Sequence, residues 1–251
     1  VFAAFADVSL LQLALIAGVA LIASIIGGVA GYGTGALMPL VLVPIVGPEP
    51  VVPILAISAL LTNTARATAF FGLVSWRRVG LVLAGAIVPC LASAYGYTLL
   101  TGRGVQFMIG GMLVLTVPLR YLLRKRAVAL GDRGLLLSSA GFGAAVGGTV
   151  GAGVIMLSLL MATGLQGAAV IATDAVLSIA IGISRLMVFG MAGAIDGRVL
   201  AYALLIGLIA FPSAFLARAF VTRLPVHVHT AILDAVVLIG GMLMVMGALT
   251  R

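Results

Sequence analysis

Charge is what this chain lacks. Asp, Glu, Lys and Arg make up 8% of its 251 residues, where a soluble domain carries about 25%. So few charges do not cover a water-facing surface, and most of the surface must meet lipid. Lysine is nearly absent, with Lys125 the only one. No Gly-x-x-x-x-Gly-Lys-Ser/Thr run occurs, which argues against ATP-driven transport by this chain alone. Cys90 is the single cysteine, so no intrachain disulfide forms. The two histidines, His227 and His229, stand two apart, a spacing that does not share a helix face. No cysteine or acidic cluster lies beside them, so they read as interfacial residues and no metal site is expected. Neither His-Glu-x-x-His nor Gly-x-Ser-x-Gly is present, and no nucleophile–base pair is visible. An enzyme is not expected, and no cofactor is called for.

What is present is apolar sequence. Hydrophobic residues make up 63% of the chain, in runs of spanning length from residue 8 to residue 249. The runs are apolar all round, which predicts an all-α polytopic membrane protein and argues against a barrel, whose strands alternate. The first run has neither a basic leader nor a small-residue cleavage pattern and reads as a helix. The net charge of +8 lies mainly between spans, as the positive-inside bias places it. It points to the cytoplasmic membrane and not to nucleic acid.

The spans predicted are 8–29, 33–47, 51–72, 78–101 and 104–123, then 134–150, 152–165, 168–190, 199–221 and 228–249. The order is long, short, long, long, long in each half. A basic loop at 124–133 divides a first repeat, 1–123, from a second, 134–251. Each short segment covers roughly 22 Å as helix, less than the ~30 Å hydrocarbon core. As full spans they make the repeats inverted; as re-entrant hairpins they make them parallel. Lys and Arg favour one side equally under both schemes. Inverted repeats are the expectation, because they give alternating access a simple basis.

Two glycine-rich breaks stand out. Gly27, Gly28, Gly31 and Gly33 recur at Gly147, Gly148, Gly151 and Gly153, offset by 120 residues. Paired interruptions at matching places in two halves point to a transporter's binding site. A half-helix starting after each break would aim unpaired N–H groups and its positive end at a cavity, favouring an anion. Gly31, Gly33, Gly35, Gly151 and Gly153 are the expected backbone donors. The competing reading is close packing through small residues.

Arg66 and Arg185 lie at matching places within spans, where charge is expensive and usually faces a polar interior. Thr62 and Asn63 share a helix face with Arg66, so a polar stripe for an anion is one reading. Snorkelling to the interface is the other. Asp174 and Asp234 are the acidic residues within spans. Each is a candidate for a coupling proton or for balancing an arginine on another helix. Pro39, Pro44, Pro53, Pro89, Pro118 and Pro212 suggest kinks.

The stretch Gly31-Tyr32-Gly33-Thr34-Gly35-Ala36-Leu37-Met38-Pro39-Leu40 resembles the signature of the TauE/SafE family, the sulfite exporters. The likeness extends to the Asn63/Arg66 region, the Gly72…Trp76-Arg77-Arg78 loop and the two-repeat layout with a central basic loop. Thr34 departs from the glycine run of many members, and the second copy, Gly151 to Leu159, lacks the proline. The resemblance implies transport of small sulfur-containing anions such as sulfite or organosulfonates. The function expected is therefore a secondary transporter of a small anion. A passive anion channel is the first alternative, and a cation or other metabolite carrier the weaker one. The partners expected are the anion, the bilayer and, through Asp174 or Asp234, protons. Oligomeric state is not readable.

Overall fold

The computed structural model describes residues 5, 8–30, 33–125, 129–220 and 226–250. Of these, the side chains of 26–30, 120, 123–125, 213–220 and 226–233 are not described. Ten α-helices account for nearly all of the described residues, and no strand occurs among them. They are α1 (Leu10–Ala30), α2 (Gly33–Val46), α3 (Val51–Phe70), α4 (Trp76–Thr98), α5 (Gly102–Lys125), α6 (Asp132–Gly148), α7 (Gly153–Ala162), α8 (Ala168–Met191), α9 (Gly197–Phe220) and α10 (Val226–Thr250). This is the arrangement apolar sequence must take in lipid, where every backbone group needs an internal partner. Among the described residues, four stretches are long and apolar enough to cross a bilayer: Val51–Leu73, Trp76–Thr98, Gly102–Leu119 and Ala168–Met191. The chain is a multi-pass helical membrane protein.

The expected spans recur with shifted ends. The second short segment stops at Ala162, where Thr163 N–H turns back to Leu160 O and Gly164 takes a φ of +83°. Both breaks are also narrower than their glycines suggested. Gly27 and Gly28 lie inside α1, and Gly147 and Gly148 inside α6. Packing explains the second pair. A Cβ on Gly147 would collide with the Cys90 carbonyl oxygen of α4, and one on Gly143 with that of Ala86. The missing side chains let α4 and α6 approach backbone to backbone.

The two ends of the bundle gather different loops. At one end the Tyr97 hydroxyl donates to Glu49 O (2.6 Å), joining the α4 end to the α2–α3 loop. The α8–α9 loop borders the same cleft. At the other end Arg78 donates to the Thr163 hydroxyl and carbonyl (both 2.7 Å), Leu130 N–H to Ala162 O (2.8 Å), and Ser75 N–H to the Thr173 hydroxyl (3.1 Å). Arg77 pairs there with Asp132. The end of α2 and the end of α7 therefore face opposite ends. The main packing pairs are α3 with α8, α5 with α10, α4 with α6, α1 with α9, α3 with α9 and α4 with α8. Exchanging α1–α5 for α6–α10 maps this set onto itself.

Candidate functional site

The two breaks meet. A Cβ built on Gly35, in the first turn of α2, would lie 3.1 Å from Gly151 N, and Gly151 itself takes a φ of +85°. Glycine tolerates both the left-handed backbone and the close approach. α2 arrives from one end with 14 residues and α7 from the other with 10, reaches of about 21 and 15 Å. Their sum is close to the ~30 Å of a hydrocarbon core, which places the junction inside the membrane.

A cavity of about 140 Å³ opens at this junction. Its walls come from Thr34 and Gly35 of α2, Leu55, Ser58 and Asn63 of α3, Phe142 and Val146 of α6, the 149–152 break, Gly153 of α7, and Asp174, Ser178, Gly182 and Arg185 of α8. Thr149 closes α6 in an extended conformation and Gly153 opens α7. The first N–H groups of a helix have no partner within it, so α7 begins with donors at the cavity wall.

Two charged side chains are sealed into this space, Asp174 at 5% exposure and Arg185 at 8%. Arg185 Nη2 donates to Thr149 O (3.1 Å) and so caps the end of α6, while Arg185 Nε has no hydrogen-bond partner among the described residues. Asp174 Oδ1 likewise has none. On α8 these residues stand eleven positions apart, about 16 Å along the axis. Arg66 of α3 is half-buried behind the wall, within electrostatic reach of Asp174. Among the described residues, the ionisable groups close to Arg185 include Cys90 and Tyr97, neither a carboxylate.

The sequence-selected residues thus divide. Gly35, Asn63, Gly151, Gly153, Asp174 and Arg185 line the cavity. Gly33 is buried at the start of α2 and is not on the wall. Thr62 is buried, its hydroxyl donating to Ala59 O (3.1 Å). Asp234 is buried on α10, away from the cavity. Gly31 lies outside the described residues, and so do the His227 and His229 side chains. Sequence reasoning passed over Thr34, Ser58, Thr149 and Ser178. A signal for one of them existed: Asp174, Ser178, Gly182 and Arg185 recur at helical spacing, one stripe of small or polar residues along α8.

A second, wider cleft of about 530 Å³ opens at the Tyr97 end, bordered by Glu49, Asp196, Arg198 and Tyr202. Fully buried Phe189 stands between the two spaces. Its ring lies 5.5 Å from that of Tyr97 on the cleft and 5.9 Å from the Arg185 guanidinium on the cavity.

No curated protein and no solved structure matches the chain. The family model described as Sulfite exporter TauE/SafE matches residues 16–244. That span takes in both breaks, the cavity and every helix that borders it, so the chain belongs to the TauE/SafE sulfite exporter family of membrane transporters.

Proposed function

We propose that the chain is a secondary transporter carrying a small anion, sulfite or an organosulfonate, across the cytoplasmic membrane by alternating access. The observation that carries this reading is Arg185. It is buried in an intramembrane cavity beside the first turn of α7, with one donor unspent and no carboxylate paired to it among the described residues. An uncompensated buried cation is costly, and an anionic ligand supplies what is missing.

We read the halves as inverted repeats. The first begins and the second ends at the Tyr97 end of the bundle, and exchanging the halves preserves the main helix pairs. The end bearing Arg77, Arg78 and Arg133 is assigned to the cytoplasm by the positive-inside bias. The Tyr97–Phe189 pair is the closed barrier between cavity and outer cleft, and rocking one repeat against the other would part it.

The test is labelled sulfite counterflow in proteoliposomes, with taurine, sulfoacetate, sulfate and chloride as competitors, for wild type and Arg185→Gln. Saturable counterflow that the substitution reduces at least tenfold supports a carrier with Arg185 in its site. Flux without counterflow or saturation identifies a channel. Counterflow untouched by the substitution removes Arg185 from the site.

A further inference from the structure

We infer that the cavity selects its cargo by valence, taking a monovalent anion and refusing a divalent one, and that Asp174 sets this limit. The inference rests on the transport reading above and names its substrate class.

Three charges act on the cavity. Arg66 and Asp174 stand at the same end of the α3–α8 pair, within electrostatic reach of each other, and balance. Arg185 stands toward the other end, where α3 offers Leu55. Among the described residues, no charged side chain other than Asp174 and Arg185 borders the cavity. α7 has no ionisable residue, and α6 contributes Phe142 and Val146 to the wall. α4 brings neutral Cys90 and Tyr97 toward Arg185. Its Arg77 and Arg78 are engaged at the membrane end by Asp132 and Thr163. Asp234 belongs to α10, which packs on α5, α2 and α1. With Asp174 ionised, the described residues leave the cavity one net positive charge.

Buried charge is tolerated when matched. A ligand with one negative charge brings the count to zero. A second negative charge has no partner, and it meets the carboxylate of Asp174, whose Oδ1 has no hydrogen bond of its own. Size does not make this choice: methanesulfonate and sulfate differ by a methyl group in place of an oxygen. Sulfite, which changes valence by binding a proton, would be taken in its singly protonated form.

The experiment is counterflow of labelled methanesulfonate in proteoliposomes at fixed pH, competed by unlabelled methanesulfonate or by sulfate. In wild type, sulfate should compete about thirtyfold or more weakly, the scale expected of one uncompensated buried charge. In Asp174→Asn the net charge rises by one and that gap should shrink at least fivefold. Asp174→Glu keeps the charge and should keep the gap. Equal competition in wild type, needing no variant to fold, overturns the inference. So does an unchanged gap in Asp174→Asn that elutes as a monodisperse protein. Counterflow with equal competition sinks the valence rule alone. Absence of counterflow with methanesulfonate, sulfite and sulfate alike overturns the transport reading and this inference with it.

Discussion

Arg66 and Arg185 occupy matching places in the two halves, yet they live in different company. The spacing that carries Arg66 onto Arg185 also carries Leu55 onto Asp174. At the end where Arg66 lies, the opposite helix presents a carboxylate. At the end where Arg185 lies, it presents a leucine. The α3–α8 pair is thereby electrically unlike at its two ends through a single pair of positions. One arginine has a carboxylate within reach, and on the proposed reading the other would be balanced by the anion that enters.

Removing each arginine in turn sharpens that contrast. Arg185→Gln should raise the half-saturating anion concentration most, about thirtyfold, or ~2 kcal/mol, the worth of a hydrogen bond to a charged group. Adding Asp174→Asn should not rescue it, because the donor itself has gone. Arg66→Gln should weaken anion binding less, about tenfold, by stranding Asp174 as an unmatched negative charge. There the second substitution, Asp174→Asn, should recover most of the loss. Concentration dependence of counterflow in the four proteins reads both results. Equal rescue of the two arginines would show that they play one role.

Where the contrast was visible in sequence, and where it was not, follows from the range of the interactions. Span order and the places of the breaks depend on local composition and could be read directly. The stripe from Asp174 to Arg185 is periodic and equally local. The partner of Arg185 is not: the Thr149 carbonyl reaches it because α6 ends against α8, which no spacing reveals. Thr62 and Asn63 both share a face with Arg66 by spacing, but of the two it is Asn63 that borders the cavity, as packing alone decides. Glycine was ambiguous for the same reason, since its missing side chain serves both a turn and a close approach. Gly151 takes the first use and Gly147 the second.

The two glycines should accordingly fail in different ways. Gly147→Ala forces α4 and α6 apart at a backbone contact and should cost about 2 kcal/mol or more, within the range for overpacking. Its melting temperature in detergent should fall while anion affinity in the folded fraction stays close to wild type. Gly151→Ala has room for the new methyl, whose nearest atom is the Thr116 hydroxyl oxygen at 3.6 Å. Its cost is the left-handed backbone, about 1–2 kcal/mol, and it falls on the cavity wall. Transport should therefore drop by more than the loss of stability accounts for. A Gly151→Ala protein with normal counterflow would mean that the break positions nothing.

The smallest effect should come from the arginine that looks best paired. Arg77 and Asp132 form a salt bridge at the loop-rich end of the bundle, but their side chains are 79% and 52% exposed. Water and salt screen such a pair, and holding two mobile side chains together offsets part of the attraction, so its net worth is about 0–1 kcal/mol. Arg77→Ala should leave the melting temperature within a degree or two and the affinity for anion unchanged. Arg185, with one hydrogen bond and no carboxylate, should matter more for transport than Arg77 with its ion pair. The difference lies in where the charge sits: an exposed cation has water for a partner whether or not Asp132 is there. Arg185 has no such supply of water, and on the proposed reading its one opposite charge would come from the ligand.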